Sequence, residues 1–82
     1  TKFDCPFDQY QKLYELSKLF MVSKEIDTTD GVKLILDDSS WVLFRGSGNA
    51  PEFRIFVESD SVTKATDLRN HALDFAKKII HV

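Results

Sequence analysis

The 82-residue sequence contains little cysteine, proline or glycine, with one, two and three of these residues respectively. The single cysteine, Cys5, excludes an internal disulfide, and this fits the reducing conditions of the cytosol. No apolar run approaches the roughly 20 residues that a membrane-spanning helix needs, and no signal peptide is recognisable at the start. The sequence therefore predicts a cytoplasmic domain that has no membrane partner.

The sequence also lacks a large excess of positive or negative charge. Thirteen acidic and 11 basic residues leave a net charge of −2, which excludes the strong positive field of a typical nucleic-acid-binding domain. The chain is 43% hydrophobic and 29% charged, a balance typical of folded globular proteins. At this length, residues 1–82 are expected to form one domain around one core.

Hydrophobic spacing predicts a helix, three strands and a second helix. The first helix is expected from Phe7 to about Ser23, with Pro6 in its first turn. Ser61 is expected to cap the last helix, whose buried stripe is Ala65, Leu68, Ala72, Phe75, Ala76 and Ile79. The predicted strands are Val32–Leu36, Trp41–Phe44 and Phe53–Val57, with a polar connector or short edge strand between Lys24 and Thr28.

This order predicts an α+β two-layer sandwich, in which two helices cover one face of a small antiparallel sheet. Alternation along the third strand places Phe53, Ile55 and Val57 on the covered face. Arg54 and Phe56 then lie on the opposite face. An exposed aromatic residue there would indicate a surface that is normally covered by something else.

The sequence FRGSGNAP, from Phe44 to Pro51, connects the second and third strands and is longer than a tight hairpin turn. Glycines let backbone N–H groups converge on one point, and such groups bind anions. Ser47 and Asn49 add side-chain donors, and Arg45 adds a guanidinium that suits phosphate oxygens. These residue types fit a phosphate-binding loop and, equally, an ordinary surface turn.

The segments DGVKLIL and WVLFRGSGNAPEFRIFVES resemble the C-terminal, fourth domain of the α-D-phosphohexomutases, which include phosphomannomutase, phosphoglucomutase and phosphoglucosamine mutase. Arg45, Ser47, Gly48 and Pro51 match the family's loop motif directly. Arg54, Phe56 and Glu58 keep its downstream spacing. The resemblance covers most of the chain and implies a fold like that of the TATA-binding protein.

The resemblance also implies a function. Members of the family transfer a phosphoryl group between the 1- and 6-positions of a hexose phosphate, and the fourth domain holds the phosphate that is not reacting. Carried over, Arg45, Ser47, Gly48 and Asn49 would bind that phosphate, with Gly46 and Arg54 in support. Gly46 stands where the family usually has proline or alanine, so a looser loop is expected. Gly46→Pro would stiffen it and tighten binding slightly if the backbone φ at this position is about −65°.

The family's Ser-His phosphoserine motif, its Asp-x-Asp metal loop and its sugar-selecting motif do not occur in this sequence. The chain is therefore expected to be an excised domain without mutase activity of its own. Magnesium and the remaining parts of the site are expected in other domains of a parent enzyme. The alternative is a non-catalytic module that recruits a phosphorylated ligand or a protein partner through the same loop.

The remaining polar residues favour no second site. Asp37 and Asp38 are typical of a solvated turn rather than of a metal site. His71 and His81 have no second ligand at metal spacing. Nothing near Cys5 predicts an activated thiolate.

Overall fold

The computed structural model describes residues 1–80, which form five strands, a short 3₁₀ turn and two α-helices. His81, which was predicted to have no functional role, lies outside the described residues. The elements are β1 (Lys2–Asp4), the 3₁₀ turn (Phe7–Gln9), α1 (Tyr10–Ser17), β2 (Glu25–Asp27), β3 (Val32–Ile35), β4 (Trp41–Gly46), β5 (Glu52–Glu58) and α2 (Val62–Ile80).

The strands form one antiparallel sheet in the order β1-β5-β4-β3-β2. The predicted three-strand meander is its centre, and the predicted edge strand near Lys24 is β2. The α+β sandwich is thus confirmed, whereas likeness to the TATA-binding protein stays a prediction. The expectation of only three or four strands was wrong, because β1 also pairs with β5. Three residues, two of them charged, are too few to show an alternating pattern.

Both helices pack on one face of the sheet around a single core. Phe44 and Phe53 are fully buried there, between the strands and the helices. Burial of these apolar surfaces is the main favourable contribution to folding. The other core residues are Cys5, Leu13, Val32, Leu34, Val42, Ile55, Leu68, Ala72 and Ala76.

Helix α1 ends at Ser17, six residues before the predicted end. The amide N–H groups of Leu19 and Phe20 donate to carbonyls three residues back, which tightens the chain into a turn. Leu19 is 75% exposed, so apolar spacing alone overestimated the length of the helix. Only Phe20 returns to the core, where its ring contacts Phe44 and Phe75.

Helix α2 begins where the sequence predicts. The amide N–H of Lys64 donates to the Ser61 hydroxyl at 3.4 Å, which confirms Ser61 as the cap. Leu68, Ala72 and Ala76 form the buried stripe. Neither this helix nor any other helix in residues 1–80 is long and apolar enough to cross a membrane.

Candidate functional site

The predicted phosphate-binding residues lie at the end of β4 and in the connection that follows it. Arg45 and Gly46 belong to β4, where they lie opposite Arg54 and Phe53 of β5. The connection proper is therefore the five residues 47–51. A strand end holds the backbone of Arg45, as expected, while Gly48 and Asn49 are exposed at the tip.

Two tyrosines of α1 hold this connection from the helix side of the sheet. The Tyr10 hydroxyl lies 2.8 Å from the Ser47 carbonyl oxygen, 3.1 Å from that of Ala50 and 2.7 Å from that of Glu52. The Tyr14 hydroxyl accepts the Gly46 N–H at 2.8 Å. Burial raises the pKa of Tyr10, so its hydroxyl keeps the proton that it donates.

Tyr10 and Tyr14 fall within the predicted first helix, and the sequence pattern indicated no role for either hydroxyl. Their spacing of four residues puts both rings on one face of α1, where they contact Phe53. That spacing was visible in the sequence. It could not show that both hydroxyls would reach a connection more than 30 residues away.

Gly46 is a glycine because of Tyr10. A Cβ atom at this position would clash with the Cε2 and Cδ2 edge of the Tyr10 ring, and the Gly46 N–H already donates to Tyr14. Whatever the backbone φ at this position, these two contacts count against a stiffening effect of Gly46→Pro. Proline would remove that donor and place its ring carbons against the tyrosine.

Ser47 organises the connection from within. Its hydroxyl accepts the amide N–H groups of Asn49 at 3.2 Å and of Ala50 at 3.3 Å. Its own N–H donates to the Glu52 carbonyl at 2.9 Å. These amides are directed into the turn, which leaves fewer free backbone donors than the glycine pattern predicted. Within residues 1–80, the Gly48 N–H has no protein acceptor.

Arg45 projects from the face of the sheet opposite the helices, since its neighbour Phe44 is buried. Its Nε lies 3.5 Å from Oδ1 of Asp30, in the turn before β3. Both side chains are more than half exposed, so this pair contributes little to stability. Asp30 lies beside the Nε edge of the guanidinium without holding it in place.

Arg54 lies opposite Arg45 on the neighbouring strand, and Lys2 lies opposite Arg54 on the next. The Glu52 carboxylate contacts both Arg54 and Lys2. Its Oε1 lies 3.2 Å from Nη2 of Arg54, and its Oε2 lies 3.8 Å from Nζ of Lys2. Like charges directly opposite each other in a sheet repel. One carboxylate offsets two of these three cations, and Asp30 partly offsets the third.

The other polar candidates do not join this site. Asp38 accepts the Ser40 N–H at 3.0 Å, which lowers the pKa of its carboxyl and makes it a turn residue. Burial and the nearby Asp8 carboxylate raise the pKa of Cys5, which therefore keeps its thiol form. Within residues 1–80, no group of three or more His, Cys, Asp or Glu side chains is arranged to hold a metal ion.

Comparison with known proteins finds related sequences, although no protein-family model matches the chain. It is 37% identical over 79 residues to a probable phosphoglucosamine mutase of Methanopyrus kandleri, covering 94% of this chain. It is 39% identical over 66 residues to a probable phosphoglucosamine mutase of Methanothermobacter thermautotrophicus, covering 80%. A phosphoglucomutase/phosphomannomutase of Thermococcus kodakarensis is 56% identical over 43 residues, covering 52%.

Each match covers from about half to nearly all of this chain but only a small part of the relative. The chain spans 17%, 15% and 9% of the lengths of these three proteins. The similarity is therefore that of one domain to one part of a larger protein. By these matches the chain belongs to the α-D-phosphohexomutase family and corresponds to a domain of its members.

Proposed function

We propose that this chain is the C-terminal phosphate-binding domain of a phosphohexomutase. In this role, Arg45, Ser47, Gly48 and Asn49 hold the non-reacting phosphate of a hexose phosphate during 1,6-phosphoryl transfer. Binding a remote group in this way orients the reacting end of the substrate. The chemistry itself, with magnesium and the phosphoryl donor, belongs to other domains of the parent enzyme.

The observation that carries the proposal is the arrangement of free donors on a braced loop. The Tyr10 hydroxyl lies within hydrogen-bonding distance of three carbonyl oxygens of this segment, and the Tyr14 hydroxyl accepts the Gly46 N–H. Arg45 projects from the opposite side, and Gly48 and Asn49 are exposed at the tip. A loop braced in this way loses less conformational freedom when it binds an anion.

Phosphate affinity of the chain tests the role of Arg45. With inorganic phosphate we expect selective shifts of the backbone amide signals of residues 45–49 and a Kd on the order of 1 mM, because one loop forms only part of a substrate site. Arg45→Ala should weaken binding about tenfold or more, since it removes a charge-assisted contact. Arg45→Lys should restore only part of the affinity, because an ammonium group cannot bind two oxygens side by side.

Arg69→Ala is the matched control, because it removes the same charge from an exposed position on α2. It should leave phosphate binding unchanged. Shifts scattered over the whole surface, with equal losses in both alanine variants, would mean that phosphate responds only to net charge. The connection would then be an ordinary turn.

Asp30→Asn should have the opposite effect and tighten phosphate binding by about two- to fivefold. The Asp30 carboxylate lies 3.5 Å from Arg45, where it competes with an incoming anion for the guanidinium. Asp74→Asn, on the exposed face of α2, provides the same charge change away from the loop. Equal affinities for the two asparagine variants would show that Asp30 does not compete.

A further inference from the structure

The sheet face that lies away from the helices carries an uncovered apolar patch. Its members are Ile35, Trp41, Leu43 and Phe56, on three adjacent strands. Leu43 lies directly opposite Phe56, and Ile35 lies opposite Trp41, so the four side chains form one continuous surface. We call this surface the open-face patch. Phe56 is 40% exposed, and the other three members are half-buried without any helix above them.

Polar neighbours shield the patch only in part. Nζ of Lys33 lies 4.5 Å from the centre of the Trp41 ring, and Trp41 Nε1 donates to Glu58 at 2.9 Å. Both contacts are on the Trp41 side. Among residues 1–80, no comparable contact covers Phe56, which instead lines a shallow depression of about 410 Å³ together with Thr1, Lys2 and Arg54.

The patch adjoins the candidate phosphate site. Arg45, Arg54 and Lys2 form a cross-strand row on the same face. This row lies two residues along the strands from Leu43 and Phe56. Glu52 is the only carboxylate in contact with Arg54 and Lys2 within residues 1–80, so that border is basic. A surface that fits here is apolar at its centre and carries carboxylates where it faces Arg54 and Lys2, which leaves Arg45 free for the anion.

We propose that the open-face patch is the docking surface for another domain of the parent phosphohexomutase. This inference rests on the proposed function. The chain spans 17% of the relative that it matches along most of its length, so most of such a parent protein lies outside this domain. A domain on the same polypeptide is held at high effective concentration and needs only a modest interface.

A second copy of this chain fits less well. An untethered dimer generally buries about 1,200–2,000 Å² in total. The patch has four apolar side chains, three of them already half-buried. It therefore offers too little apolar surface for stable association without a covalent tether.

Hydroxyl-radical footprinting tests the proposal by comparing the 82-residue chain with the full-length parent protein. Oxidation of Phe56 and Trp41 should fall severalfold in the parent. Oxidation of Val62, which is 86% exposed at the start of α2, should remain similar in both. In the parent, Phe56→Ser should lower the melting temperature of the interdomain transition, whereas Val62→Ser should not.

Equal oxidation of Phe56 in the two proteins would overturn docking, even if phosphate binding by the loop is confirmed. Protection of Phe56 that rises with the concentration of the isolated chain, together with dimers in sedimentation, would also overturn it in favour of self-association. A parent reading frame without other phosphohexomutase domains would instead overturn the proposed function itself.

Discussion

Phe53→Ala is expected to lower the free energy of unfolding by about 3–5 kcal/mol, the usual cost of removing a fully buried aromatic ring. Phe53 is 0% exposed, and its ring contacts those of Phe3, Tyr10 and Tyr14. A domain of this size has a total stability of only about 4–12 kcal/mol. The variant should therefore unfold at a much lower urea concentration, as followed by circular dichroism.

Phe56→Ala is the matched control, on the same strand but on the other face of the sheet. Phe56 is 40% exposed and has no helix above it, so its loss in the isolated chain should cost well under half as much. Similar losses for the two variants would contradict the assignment of the faces. A large loss at Phe53 would also reduce phosphate binding, because its ring supports the two tyrosines that hold the loop.

The sequence was sufficient for the central strands, the second helix and the position of the connection between β4 and β5. Strand alternation separated Phe53 from Phe56, and the serine at position 61 marked the start of α2. These signals are local, since each depends on neighbouring residues only. Features that depend on such local signals are the easiest to predict from a single sequence.

The remaining features depend on contacts between residues distant in sequence. Strand β1 has no strong pattern of its own and exists because β5 offers an open edge. Helix α1 ends at Ser17 although the apolar spacing continues beyond it. The turn that follows lets the Phe20 ring pack against Phe44 and Phe75 in the core. The Tyr10 hydroxyl contacts a loop that begins 37 residues later, and no local sequence pattern predicts this contact.

Gly46→Ala is expected to destabilise the domain by about 1–3 kcal/mol, which is unusual for the addition of one methyl group. The new Cβ would overlap the Tyr10 ring and push it away from the carbonyls of Ser47 and Glu52. The variant should therefore lose stability and phosphate affinity together. Urea unfolding and the phosphate titration measure the two effects separately.

Gly48→Ala distinguishes this cause from a general need for glycine in the loop. A Cβ at Gly48 meets no atom within 4 Å, and its backbone does not have the positive φ that disfavours other residues. The free energy of unfolding of the Gly48→Ala variant should therefore change by no more than about 0.5 kcal/mol. If both alanine variants lost equal stability, backbone freedom rather than the tyrosine contact would explain the glycines. A loss at Gly46 alone, reduced when Tyr10 is replaced by the smaller leucine, would establish that the ring of Tyr10 sets the shape of the connection between β4 and β5.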